Sequence, residues 1–312
     1  MNDQAQPVAA GDESHLRVRA PAPAWFHDAL AAPKQSRRVE VEGCPIHYLL
    51  WPAKRTPAVA PGILFVHGGG AHAQWWSFIA PFFAGDRPVA AMDLSGMGDS
   101  GRREAYNAAL RAEEIGGVLA DAGLDERPVL VGHSFGGYMS MVFGRKYGDA
   151  LSAAVIVDSP IRRPDEDTAR RRRRMGGVKV SYPEFEAAVR RFRLVPEQPC
   201  DNAYIVEHIA RHSIMAAEDG EGWVWKFHPA AMGAKRFDEP FAEHLAHMAC
   251  RRALIRGEHS ALLTPEVAAH MASLMGPDAP VITVPGAHHH VMLDQPLAFV
   301  AALRALLAAW QT

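Results

Sequence analysis

Short apolar runs, each closed by glycine, proline or a polar residue, punctuate the chain from about residue 62 onward. Gly62–Val66, Val129–Val131 and Ala153–Val157 are continuous apolar runs that read as buried strands, and Val89–Met92, Ala253–Arg256 and Val281–Val284 read as further short strands. Earlier, Arg38–Glu42 and Pro45–Trp51 alternate around Gly43 and Cys44, the pattern of an antiparallel hairpin at a sheet edge. Helical stretches fall between the runs: 104–122, Tyr138–Tyr147, Pro265 to about Leu274, and Pro296–Trp310. Strand, loop and helix in repeated succession predict an α/β fold, with a mostly parallel central sheet flanked by helices. Ligands of such sheets sit beyond the carboxyl ends of the strands.

The alternation breaks between residues 160 and 245. Pro164, Pro183, Pro196 and Pro199 there separate what read as short helices, so the core is expected at 37–159 and 246–312, with an inserted helical cap at 160–245. Residues 1–36 are rich in alanine and proline and are expected to form a partly disordered N-terminal arm. The first residues carry acids and no apolar core of signal-peptide length, and no stretch approaches the roughly 20 uncharged apolar residues of a membrane helix. Cys44, Cys200 and Cys250 are odd in number and widely spaced, as expected of reduced thiols in a cytoplasmic protein. With 312 residues and a formal net charge of -2, the chain has no overall field to gather nucleic acid or an acidic membrane. Its oligomeric state is left open.

Chemistry concentrates at VLVGHSFGG, 129–137. Gly132, Ser134 and Gly136 match G-x-S-x-G, in which small neighbours let a strand turn sharply into a helix with a serine at the apex. The following helix would present its N-terminus beneath the hydroxyl and favour negative charge there. A serine hydroxyl needs a base to take its proton, and a group to orient that base. PGAHHHVMLDQP, 285–296, lies between the last strand and the last helix, which puts its histidines at the same rim as Ser134. Three consecutive histidines do not face one ion comfortably, and no H-E-x-x-H pattern accompanies them, so no metal is expected.

With these motifs in this order, residues 38–312 resemble the α/β-hydrolase superfamily, of the type with a serine nucleophile and a helical cap. The resemblance implies an α/β-hydrolase fold, an esterase-like activity without cofactor, and a small-molecule substrate. In that family the histidine stands five residues before an acid and seven before a proline. Counting back from Asp294 and Pro296 selects His289, while His288 stands where the family has glycine. The resemblance also implies an oxyanion hole from the Phe135 amide and one from the loop His67, Gly68, Gly69 and Gly70, with Gly69 preferred and Gly70 the alternative. Ser260 and Ala261 occupy the family's usual positions for the triad acid. Asp158, closing the strand Ala153–Val157, is the preferred substitute, and Glu258 is the alternative.

The reading that follows is a carboxylesterase working through an acyl-enzyme on small to medium esters. The same triad also suits carbon–carbon (β-diketone), lactone or thioester hydrolysis. A cofactor-free oxygenase or perhydrolase and a catalytically silent binding protein are further alternatives. A serine at the turn argues against epoxide hydrolases, which attack through a carboxylate there. Trp75, Trp76, Trp223 and Trp225 are candidate substrate-binding residues, with packing as the competing role. The run Arg170–Arg174 is read as a solvated cap face balanced by Asp165, Glu166 and Asp167.

Overall fold

The apolar runs assemble into one eight-stranded sheet. In chain order its strands are β1 (Gln35–Val41), β2 (Cys44–Trp51), β3 (Ile63–Val66), β4 (Val89–Met92), β5 (Val129–His133), β6 (Ala153–Val157), β9 (Arg251–Gly257) and β10 (Val281–Val284). In space they run β1-β2-β4-β3-β5-β6-β9-β10. The hairpin β1–β2 and the pair β2–β4 are antiparallel, and the remaining pairs are parallel. The computed structural model describes residues 21–54, 58, 60–124, 126–163, 181–232 and 239–311. The Arg170–Arg174 run, with its neighbouring acids, lies outside the described residues.

Alternate strand residues feed two cores, one on each face. Leu64, Val66, Leu130, Ala154, Ile156 and Leu254 pack with helices α2 (Ala108–Asp121), α3 (Phe135–Tyr147) and α7 (Pro265–Met275). On the opposite face Ile63, Phe65, Val131, Val155 and Ile255 pack with Phe299 and Leu303 of α8 (Pro296–Gln311). Two apolar faces are why these strands read as unbroken hydrophobic runs.

Capping chemistry sets the helix starts. The Asn107 side chain accepts from the Leu110 amide, so α2 begins four residues later than its apolar pattern suggests. Thr264 caps α7 in the same way, with Pro265 at the first helical position. By contrast, α3 starts three residues earlier than expected, because Gly136 and Gly137 belong to the helix.

The segment between β6 and β9 holds helices α4 (Phe185–Arg190), α5 (Ala203–His212) and α6 (Phe241–Ala246). It also holds a two-stranded ribbon of β7 (Ile214–Ala216) and β8 (Trp223–Trp225), which the helical reading of this segment does not include. The ribbon is held by aromatic packing, with Phe185 edge-on to Trp223 at 4.9 Å and Tyr182 edge-on to Trp225 at 5.8 Å. Within the segment expected to be an N-terminal arm, Ala24–Ala31 forms α1, whose Phe26 is buried against Phe78 and Tyr204. Residues 1–20 lie outside the described residues.

At the β5–α3 turn the helix runs directly against β3. A Cβ on Gly136 would overlap the Val66 carbonyl oxygen, and one on Gly132 would overlap the Gly136 carbonyl. Backbone cannot swing aside as a side chain can. Gly136→Ala is therefore expected to lower unfolding free energy by about 1–3 kcal/mol, the usual range for overpacking, read as a lower urea midpoint. An unchanged midpoint would show that the turn is looser than this geometry.

Candidate active site

Ser134 sits at the apex between β5 and α3 with φ 50° and ψ -114°, a left-handed conformation rare for a residue with a Cβ. Its amide donates to the Val157 carbonyl at 2.9 Å, fixing the apex to the end of β6. The hydroxyl lies 3.1 Å from His289 Nε2. On the other side of the ring, Nδ1 lies 2.8 Å from Asp158 Oδ1. A carboxylate only accepts, so Nδ1 carries the proton and Nε2 is left to accept from the serine.

Asp158 is fully buried and also has a positive φ, 46°. Its Oδ2 accepts from the Gly257 amide at 2.9 Å, and its Oδ1 accepts from Ser260 Oγ at 2.6 Å as well as from His289. Four segments, the β5–α3 turn, the end of β6, the loop after β9 and the loop after β10, thus meet in one hydrogen-bonded chain. Sequence reading did not assign Ser260 a role. It noted the residue only as the occupant of an expected acid position, and its service to a carboxylate 102 residues away emerges only once β6 and β9 lie side by side.

The other candidates divide. Glu258 is exposed, and its carboxylate accepts from the Gly286 amide at 2.9 Å, so it does not share in this chain. His288 turns to Asp294, whose Oδ2 accepts from the His288 amide at 2.7 Å and stands 3.3 Å from its Nδ1. The glycine loop passes over the serine: a Cβ on Gly68 would stand 3.5 Å from Ser134 Cβ. Beyond it, Gly69 is exposed and Gly70 has φ 72°. Phe135 opens α3 with its ring buried and the Arg111 guanidinium 5.0 Å from the ring centroid.

Of the tryptophans, Trp75 comes close to the chain of hydrogen bonds, lying edge-on to His290 at 5.2 Å. Trp76 is a correction to the substrate-binding expectation. It is fully buried and stacks on Phe65 at 4.7 Å, which makes it a core residue. Trp223 and Trp225 are half-buried and pack on Phe185, Tyr182 and Phe192.

Buried histidines surround the site. His67 Nε2 accepts from the Leu94 amide at 3.0 Å while Nδ1 donates to the Gly68 carbonyl, and burial holds its pKa below the ordinary value. His133 and His290 are held well below it, chiefly by burial and then by the neighbouring His289. Farther out, two histidine–serine bonds join α5 and its end to the segment after the glycine loop. His72 Nε2 meets Ser213 Oγ at 2.8 Å, and His208 Nε2 meets Ser77 Oγ at 2.9 Å. Burial pushes both rings down to about 3.

Residues 63–303 match the family model described as the alpha/beta hydrolase family. The chain belongs to that family. Among the hydrolases it resembles is an esterase of Mycobacterium tuberculosis, Esterase Rv0045c, 27% identical over 82% of this chain and 85% of that protein. Epoxide hydrolase 3 of Xenopus tropicalis is 22% identical over 83% of this chain and 73% of its own. Among solved structures, E-2-(acetamidomethylene)succinate hydrolase superposes with a TM-score of 0.73 at 23% identity, covering 88% of this chain and 98% of that one. The thioesterase domain from the curacin biosynthetic pathway gives 0.69 at 21% identity, over 88% and 99%. These structural likenesses establish the shared hydrolase fold, and the esterase relative supports an ester hydrolase.

The clamp on α5 has a pH signature. Unfolded histidine titrates near 6.5, and these two rings titrate at about 3 when folded. Between those values the unfolded chain binds more protons, so this hydrolase is expected to lose stability as pH falls from 6.5 toward 3 and to keep it in full above 6.5. Urea midpoints measured across that window should fall less steeply in His208→Gln than in the wild type. Parallel slopes would assign the acid sensitivity to other groups.

Proposed function

We propose that the chain is a serine carboxylesterase that cleaves small to medium carboxylic esters through an acyl-enzyme. The observation that carries this reading is the unbroken chain Ser134 Oγ to His289 Nε2 and His289 Nδ1 to Asp158, at 3.1 and 2.8 Å. The esterase relative, matched over most of both chains, supports the bond type. Ser134 offers a hydroxyl where the carboxylate of an epoxide-opening enzyme would be required.

In this mechanism His289 takes the serine proton as Ser134 attacks the ester carbonyl, and Asp158 stabilises the imidazolium that forms. The tetrahedral oxyanion is received by the amides of Phe135 and Gly69, with Gly70 the alternative to Gly69. Phe135 contributes the dipole of the α3 N-terminus as well as its N–H. His289 then protonates the departing alcohol, and water repeats the sequence on the acyl-enzyme. Residues 160–245 act as the cap that bounds the acyl pocket, with Trp75 as one wall. Ser260 is a positioning residue: its hydroxyl donates to Oδ1 of Asp158, the oxygen that His289 Nδ1 meets.

Burst kinetics with p-nitrophenyl esters of graded chain length test the reading. Ser134→Ala should abolish the burst. Asp158→Asn should lower kcat about 10³- to 10⁴-fold by presenting the wrong tautomer of the base. Ser260→Ala is expected to cost about tenfold, near the value of one lost hydrogen bond to a charged group, and Ser260→Thr to recover part of it. Glu258→Gln should stay within about twofold of wild type, as for a surface substitution. A burst that survives Ser134→Ala, or a collapse confined to Glu258→Gln, would overturn this assignment.

A further inference from the structure

His133, His289 and His290 crowd together beside the serine, with ring centroids 4.9, 4.8 and 5.4 Å apart, and all three are at most 3% exposed. One ligating nitrogen from each lies within 4.8 Å of the other two. Buried polar atoms are nearly always hydrogen-bonded, yet here Nδ1 of His133 and both ring nitrogens of His290 have no such partner. The Val195 carbonyl faces the His290 ring without meeting hydrogen-bond geometry. An unpartnered nitrogen on each of His133 and His290, beside the His289 ring, calls for a guest that accepts lone pairs.

The tautomers suit such a guest. His133 Nε2 donates to the His289 carbonyl at 3.0 Å, so the proton is on Nε2 and the lone pair is on the orphaned Nδ1. Asp158 holds the His289 proton on Nδ1, so the lone pair is on Nε2, where a metal would replace the serine hydroxyl, backed by a carboxylate as metal-bound histidines commonly are. His290 has a nitrogen free in either tautomer. Gly68 leaves the space over His133 open, since a Cβ there would stand 3.0 Å from Nδ1. Consecutive His289 and His290 need not face outward together, because the third ligand comes from the β5 side of the site.

We propose that His133, His289 and His290 form a binding site for a borderline transition-metal ion of the Zn²⁺ or Cu²⁺ class, and that its occupancy switches the hydrolase off. All-nitrogen ligation favours such ions over Mg²⁺ or Ca²⁺. Zinc–nitrogen bonds of about 2.0–2.1 Å require tetrahedral ligand atoms roughly 3.4 Å apart, so the rings would close by about 1.5 Å or less. The bond formed is His289 Nε2 to metal, and the contact broken is Nε2 to the serine hydroxyl, which keeps its proton. No electron transfer or co-reactant is involved. Only the switching-off rests on the esterase reading; metal binding itself does not.

The test uses chelator-treated protein and the metal alone. Equilibrium dialysis with Zn²⁺ should give one ion per chain, and Co²⁺ should give the visible absorption of a tetrahedral nitrogen site. His290→Leu replaces the orphaned ring with an apolar side chain, and His133→Asn is a second variant should the first fail to fold. Either is expected to weaken Zn²⁺ binding at least about tenfold, because three-ligand affinity collapses when one ligand goes. In the wild type, Zn²⁺ should stop ester turnover and slow fluorophosphonate labelling of Ser134, and chelation should restore both. Zn²⁺ bound equally by wild type and variants would mean adventitious surface histidines only and would overturn the site. No binding at millimolar Zn²⁺ would mean that ordered water alone meets these nitrogens, and would overturn it as well. A variant-sensitive Co²⁺ spectrum in a protein that turns over no ester would uphold the metal site while removing the esterase reading.

Discussion

The structure around the serine depends on one buried carboxylate. Removing Asp158 from water costs several kcal/mol unless its oxygens are met by donors, and three donors meet it: the Gly257 amide, Ser260 Oγ and His289 Nδ1. Each donor lies at the carboxyl end of the sheet, Gly257 as the last residue of β9 and the other two in the loops that follow β9 and β10. Satisfying the charge therefore fixes the mutual placement of the β6 end, the loop after β9 and the loop after β10. The left-handed backbone at both Ser134 and Asp158 is held against its preference by this closure and by the Ser134 amide on Val157. Orientation of the histidine and strain at the serine are two results of one constraint.

Around that centre the protein keeps its polar groups dry and neutral. His67, His72, His133, His208 and His290 all have pKa values lowered by burial. His67 bonds a backbone amide and a carbonyl, and His72 and His208 each bond a serine. These three are spacers, holding the glycine loop and α5 at fixed distances without adding charge near the serine. Asp93 behaves oppositely. Burial opposes its ionisation, but the hydrogen bond and charge of His47 outweigh that and hold it at about 2, where it gathers the amides of Ala73 and Asp99 behind the glycine loop.

The parallel strands were legible in the sequence because burial on both faces leaves no polar residue to interrupt ILFV or AAVIV. Helix starts were less legible. The cap residue Asn107 overrides a pattern that begins upstream of it, and Gly136 and Gly137, which open α3, look like loop until the closeness of Val66 to the first and of Ser159 to the second explains them. The ribbon β7–β8 was hidden by its brevity, although the W-V-W alternation carries a period of two. At the site, Ser134 and His289 follow from motif and chain order. Choosing between Asp158 and Glu258 does not, since both close strands of one sheet, and only register and loop path send one inward and the other to solvent. Trp75 and Trp76 show the same limit. Both are buried in the same core, one edge-on to His290 and the other stacked on Phe65, and composition cannot separate them.

The outermost strand has a further consequence. β1 ends the sheet, and its residues Gln35, Ser36, Arg37, Arg38 and Glu40 are exposed while Val41 alone is buried. An unpaired strand edge is a template onto which another molecule's backbone can add, and charged side chains along it make such addition costly in desolvation and repulsion. The hairpin that begins this fold therefore also protects its solubility. Removing those charges would leave Ser134, His289 and Asp158 untouched while opening a route to edge-to-edge aggregation.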